Sequence, residues 1–287
     1  MLPRSYIVVA LVLFSCTSKN QNENKNQQNM TSFKSGYAEV NGIKMYYEIH
    51  GEGEPLVLIH GGGSTIGTSF SKIIPGLSSN FKIIAVELQA HGHTSDRNSP
   101  ESFEQDADDV AGLLRQLATP KASFLGFSNG GNTSMQIAIR HPEMVSKLII
   151  ASSFYKREGI IPGLFEGIKQ ATIKDMPQPL KDAFLEINPD NNKLLNMFNK
   201  DRERMMNFQD WKDEMLASIK APALIINGDL DVVLNEHTVA MSRLIPNSRL
   251  MILPATHGSY LGAIESGPPD ETQINLIVDV IKGFMRK

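Results

Sequence analysis

Short apolar runs alternate with amphipathic stretches along most of this chain. Residues 56–59, 82–86, 122–125, 147–151, 223–227 and 249–253 are largely apolar runs bounded by polar or turn-forming residues, the pattern of strands buried on both faces. Residues 103–117, 132–140 and 236–244 instead carry apolar side chains at helical spacing, with Met135, Ile137 and Ile139 in the second of them, and predict helices between those strands. Near the start, residues 37–40 and 43–48 flank Asn41-Gly42. A two-residue Asn-Gly link between strand-like runs predicts a tight hairpin, because both positions tolerate positive φ. Strands alternating with helices imply an α/β fold: a mostly parallel sheet with helices on both faces, opened by an antiparallel hairpin.

One interval breaks the alternation. Roughly 65 residues separate the strand ending near Ser152 from the one beginning near Pro222, too many for an ordinary connection between sheet elements. Residues 154–218 are therefore read as an inserted helical cap, dividing a core made of residues 36–153 and 219–287. The insert holds Met176, Met197, Met205, Phe165, Phe184 and Trp211. Apolar residues at helical spacing mostly pack such a segment onto its core, and methionines also adapt to irregular apolar ligands.

The N-terminus has a different character. Arg4 precedes the apolar run 6–14, which is too short to span a bilayer and is followed by a polar tract, so residues 1–15 read as an export signal. The run ends Leu13-Phe14-Ser15-Cys16, which resembles a bacterial lipobox, with Phe14 departing from its usual small or aliphatic residue. Cys16 is the single cysteine of the chain, so intramolecular disulfides and cysteine catalysis are excluded and the one thiol stands where lipidation would occur. Residues 16–35 are dominated by Asn, Gln, Lys and Ser and read as a flexible tether. The expected location is the bacterial cell envelope, periplasmic or outer-membrane face, with membrane contact through the lipid on Cys16 alone.

A net charge of −3, from 28 basic and 31 acidic residues in 287, offers no electrostatic footprint for nucleic acid. No Walker loop, dinucleotide fingerprint or metal motif is visible, so no cofactor is expected. His91 and His93 stand two apart without the further ligands that a zinc site needs.

The candidate chemistry lies elsewhere. Gly126-Phe127-Ser128-Asn129-Gly130 fits G-x-S-x-G at the junction of a predicted strand and a predicted helix, which makes Ser128 a nucleophile candidate on a sharp turn. A serine hydroxyl is a weak nucleophile at neutral pH; it needs an imidazole to take its proton and a carboxylate to orient that imidazole. Downstream, the predicted strand 223–227 runs into Gly228-Asp229-Leu230-Asp231, and 249–253 is followed by Pro254-Ala255-Thr256-His257. His257 and one of the two aspartates fit the roles. Asp229 directly follows a glycine and suits a local turn bond; Asp231 lies deeper in the loop.

Together these features resemble the α/β-hydrolase superfamily, across nearly all of the chain after residue 36. The resemblance implies an eight-stranded sheet, and its usual G-D-x-D element points to Asp231 as the acid. His60-Gly61-Gly62-Gly63 stands where the superfamily keeps its oxyanion loop, which implies the amides of Gly62 and Asn129 as donors, with His60 as a structural hydrogen-bonding residue beneath them. Glu87-Leu88-Gln89-Ala90-His91-Gly92-His93-Thr94-Ser95 resembles a further superfamily loop, commonly D-x-x-G-x-G-x-S, with Glu87 and Ala90 departing from it. The expected activity is hydrolysis of an ester or lactone of a small to medium, partly apolar molecule through an acyl-enzyme. The same triad would serve an aminopeptidase, as in the similar proline iminopeptidases, or a perhydrolase, and the scaffold would also serve a surface-anchored ligand-binding protein.

Overall fold

The computed structural model describes residues 33–286. The expected signal, Cys16 and the tether up to residue 32 lie outside the described residues. The sheet is built from β1 (Lys34–Val40), β2 (Ile43–His50), β3 (Pro55–Ile59), β4 (Lys82–Val86), β5 (Ala122–Phe127), β6 (Val145–Ala151), β7 (Ala223–Leu230) and β8 (Ser248–Thr256). Its spatial order is β1-β2-β4-β3-β5-β6-β7-β8. The β1–β2 and β2–β4 pairs are antiparallel and every later pair is parallel. This is the eight-stranded, mostly parallel sheet expected. The hairpin turns at Asn41 (φ 45°) and Gly42 (φ 86°), with Val40 opposite Ile43. β1 starts at Lys34, inside the segment read as tether. Lys34 and Ser35 are exposed yet face Ile49 and Glu48 across the ladder, because an edge strand is held by backbone bonds that need no apolar side chain.

Ten α-helices complete the described chain: α1 (Ile66–Phe70), α2 (Ile74–Ser78), α3 (Phe103–Gln116), α4 (Asn129–Arg140), α5 (Leu164–Gln170), α6 (Gln178–Ile187), α7 (Asn191–Asn207), α8 (Asp213–Ala217), α9 (Asn235–Leu244) and α10 (Glu271–Arg286). Successive strand residues point to opposite faces, and the core divides accordingly. Val57, Ile59, Phe124, Leu148 and Ile225 pack against α3, α4 and α9, while Leu56, Leu58, Leu125, Ile149 and Ile226 pack against α1, α2 and α10. Each fully buried aliphatic side chain contributes about 1.5–3 kcal/mol, which is why a strand with a continuous apolar run belongs at the centre of such a sheet.

The interval between β6 and β7 contains α5 to α8. These helices carry a small core of their own, in which Met176, Leu180, Phe184, Leu194 and Met197 are buried together with Ala90. α10 has no counterpart among the sequence expectations, although its signal was present. Ile274, Ile277, Val278 and Ile281 are its buried residues, spaced as one helix face, and Asp270 caps it by accepting the Thr272 N–H at 2.9 Å. Among the described residues no helix is long and apolar enough to cross a membrane.

Candidate active site

Ser128 sits between β5 and α4 with φ 54° and ψ −121°, a backbone conformation that costs an L-residue energy and persists only when its surroundings enforce it. The flanking glycines allow that enforcement. A Cβ on Gly130 would lie 2.0 Å from the Ile59 carbonyl oxygen, and one on Gly126 would lie 2.0 Å from the Gly130 carbonyl oxygen. Strand, turn and helix therefore approach more closely than any other residue permits. The Ser128 N–H is anchored on the Ala151 carbonyl at 2.9 Å, which fixes the turn against β6. α4 begins at Asn129 rather than at Asn132 as its apolar spacing alone predicts, because the helix starts at the turn itself, where small residues obscure the periodicity.

His257 and Asp231 come to this turn from the ends of β8 and β7. The Ser128 hydroxyl lies 3.1 Å from His257 Nε2, and His257 Nδ1 lies 2.8 Å from Asp231 Oδ1. An ionised carboxylate only accepts hydrogen bonds, so Nδ1 carries the hydrogen and donates it, which leaves Nε2 free to accept the Ser128 proton. Asp231 also accepts the Val233 N–H at 3.0 Å and the Ser152 hydroxyl at 2.5 Å. With its hydrogen committed to Asp231, Ser152 accepts from the Tyr260 hydroxyl at 2.7 Å. Burial alone would raise the Asp231 carboxyl; the bond and charge of His257, with those from Ser152 and Val233, outweigh it and hold the group below the usual carboxylate range. Asp229 is used differently. It accepts the Ala255 N–H at 2.9 Å, a bond across 26 positions that ties the end of β7 to β8 in place of the local turn bond expected.

The glycine loop after β3 runs beside the turn. A Cβ on Gly61 would lie 3.2 Å from the Ser128 Cβ, and one on Gly62 would lie 2.5 Å from the Asn129 side-chain nitrogen. Asn129 opens α4, where the first N–H groups of a helix have no acceptor within it. The amides of Gly62 and Asn129 thus belong to adjoining pieces of backbone next to the serine. His60 lies beneath them. The Leu88 N–H donates to its Nε2 at 3.0 Å and its Nδ1 faces the Gly61 carbonyl at 2.7 Å. Complete burial pushes its pKa down to about 3, so it is a neutral structural hydrogen-bonding residue and no base.

A cavity of about 270 Å³ opens on this loop, bounded by Gly62, Gly63 and Asn129 on one side and by the inserted helices on the other. Met176, Leu180, Met197, Phe198 and Met205 make its wall largely apolar. The polar exception next to the loop is Asp201 of α7. The Gly63 N–H donates to its Oδ2 at 2.5 Å, His91 Nε2 lies 3.0 Å from the same oxygen, and the Asn129 side-chain amide donates to Oδ1 at 3.4 Å. Arg204, one turn along α7, pairs with Oδ1 and with Asp106 at 2.7 Å. Burial disfavours charge on both Asp201 and His91. The charges of His91 and Arg204 nevertheless hold the Asp201 carboxyl well below its ordinary range, and Asp201 carries His91 up to about 9. His93 points elsewhere, to Glu87, whose buried carboxylate accepts its backbone N–H at 2.7 Å and its ring nitrogen at 3.0 Å.

A sequence profile described as alpha/beta hydrolase fold matches residues 54–180, the stretch that carries the glycine loop, the serine turn and most of the central strands. The chain has the α/β-hydrolase fold. It is 28% identical over 243 residues to the human serine hydrolase BPHL, covering 78% of this chain and 80% of that one. It is 36% identical over 143 residues to the pimeloyl-(acyl-carrier protein) methyl ester esterase of Aliivibrio salmonicida, an alignment that takes in 49% of this chain and spans about half, 51%, of that relative. Among solved structures, the enol-lactonase of Burkholderia xenovorans LB400 superposes with a TM-score of 0.69 at 21% identity, over 88% of this chain and all of that one.

The structure therefore brings Ser128, Asp231, His257, Gly62 and Asn129 into one site. Ser152, Tyr260, Asp201 and His91 are the residues that sequence reasoning left out of it. Ser152 and Tyr260 carry no motif. His91 and Asp201 are 110 positions apart, and only the folded path of α7 brings them together.

Proposed function

We propose that this chain is a serine hydrolase of the α/β-hydrolase superfamily that cleaves an ester or lactone of a small to medium, partly apolar acyl group. The observation that carries this reading is the unbroken line from the Ser128 hydroxyl through His257 to Asp231 beside a glycine loop and an apolar cavity. In this mechanism Ser128 Oγ attacks the carbonyl carbon while His257 Nε2 takes its proton. The oxyanion that develops is held by the amides of Gly62 and Asn129, and Asp231 stabilises the imidazolium. The imidazolium then protonates the leaving alcohol, and water, activated by the same His257, releases the acid and restores the serine. The similarity to a methyl ester esterase and to an enol-lactonase supports the choice of acyl–oxygen bond. The size of the cavity supports acyl groups of modest length. We propose also that the chain is held at the cell envelope by acyl groups on Cys16, a reading supported by the apolar run and lipobox-like ending of residues 6–16.

A panel of p-nitrophenyl esters from acetate to laurate, a series of lactones and a set of aminoacyl amides tests the reaction class. The expected result is turnover of esters or lactones with a maximum at short to medium acyl length, and slower cleavage of the amides. Faster cleavage of an aminoacyl amide than of every ester and lactone would transfer the assignment to an aminopeptidase.

A further inference from the structure

The inserted helices supply a group that reaches the glycine loop itself. Asp201 lies 138 positions from Gly63, yet its carboxylate receives the Gly63 N–H, the Asn129 side chain and the His91 ring, and is anchored from behind by Arg204. The two backbone pieces that would hold an oxyanion are thereby tied to one carboxylate: Gly62 immediately precedes Gly63, and Asn129 contributes both an amide and the side chain that Asp201 holds. The fit at this point is tight, since Gly62 has no room for a Cβ against the Asn129 side chain. The same helix presents Met197, Phe198 and Met205 to the cavity, so the element that lines the cavity is also the element that reaches the loop.

We propose that Asp201 is a positioning residue that sets the oxyanion hole, holding the Gly62–Gly63 backbone and Asn129 so that their amides converge on the reacting carbonyl. The proposal rests on the serine-hydrolase reading above. Donors that stabilise a developing oxyanion work only when fixed in advance, and a displacement of the order of 1 Å costs about 100-fold in rate. Asp201 acts through Gly62 and Asn129 and touches no reacting atom. Its partner His91 donates from Nδ1 to the Gln89 carbonyl, 2.8 Å away, and as an imidazolium donates from Nε2 to Asp201. The charged and titratable groups that face His91 are Asp201 and Arg204 from α7, Glu101 from the segment before α3, and His60 from the glycine loop, whose ring centroid is 4.9 Å away. Because Asp201 raises His91 from its ordinary 6.5 to about 9, the charged pair is intact below about pH 9 and is lost as the pH rises through that value.

The test uses the full-length chain, wild type and D201N, with p-nitrophenyl butyrate as substrate between pH 6 and 10. Rates are referred to the number of folded molecules by circular dichroism and by counting chains labelled at Ser128. The expected result is a kcat lowered about 10- to 100-fold with KM within about threefold, and loss of the wild-type decline in kcat near pH 9. A D201N enzyme with kcat within twofold of wild type and the same pH profile overturns the proposal. Should D201N fail to fold, N129A, which removes the side chain that Asp201 holds and keeps the Asn129 amide, is expected to show a fall in kcat at constant KM; an unchanged kcat there overturns it equally. A wild-type chain that hydrolyses no ester and takes no label would sink the serine-hydrolase reading itself, whereas an active wild type with an equally active D201N sinks only the role of Asp201.

Discussion

Replacing Ser128 with alanine is expected to lower kcat for ester hydrolysis by about 10⁴-fold or more, since loss of the nucleophile leaves only binding and oxyanion stabilisation. The structure also predicts that this variant folds. The positive φ of Ser128 is imposed by the close approach of Gly126 and Gly130 to neighbouring backbone, and the Ser128 amide keeps its bond to Ala151 whatever the side chain. Alanine has the same Cβ and meets the same strain, so only the hydroxyl facing His257 is lost. Steady-state kinetics alongside thermal unfolding check both parts. A midpoint within a few degrees of wild type with activity gone is the expected pair, and a Ser128→Ala enzyme that keeps a tenth of the activity would remove Ser128 from the mechanism.

The second large effect separates two aspartates two positions apart. Asp231→Asn is expected to lower kcat by about 10⁴-fold, because an amide in that place disrupts the tautomer in which His257 Nε2 can accept a proton and withdraws the charge that stabilises the imidazolium. Asp229→Asn is expected to change kcat by less than about threefold, since its bond from the Ala255 amide needs only an oxygen acceptor. Kinetics of the two variants side by side decide the matter. Equal losses would mean that the loop positions the triad as a unit and that Asp231 has no individual role. Both proteins should fold, although Asp231 is the more buried and leaves Ser152 facing an amide in place of a carboxylate.

Much of this arrangement was legible in the sequence where the physics is local. The Asn41-Gly42 turn fixes its hairpin because two consecutive positive φ values admit few residues. Strands β3 to β7 announce themselves because burial on both faces demands continuous apolar runs. Asp231 as the partner of His257 followed from the superfamily pattern, whereas the bond of Asp229 to the Ala255 amide, 26 positions away, joins two strands and is not the local turn bond that its place after a glycine suggests. Long-range features were not legible. Nothing in the residues around Asp201 marks it off from Glu203, the other acidic residue of a polar helix, and its contact with Gly63 depends on how α7 lies against the glycine loop. The start of α4 was hidden by glycines that carry no apolar periodicity, and α10 was missed even though Ile274, Ile277, Val278 and Ile281 display one.

Ser128 is expected to behave as an activated nucleophile, with His257 taking its proton. The most direct test is treatment of the full-length chain with a fluorophosphonate probe, followed by peptide mass spectrometry. The expected result is one modified residue, Ser128, labelled rapidly in the wild type and at least about 100-fold more slowly in His257→Ala, since the probe reacts only where a base removes the hydroxyl proton. Folded protein that stays unlabelled, or a label at Ser128 that forms equally fast without His257, would contradict it.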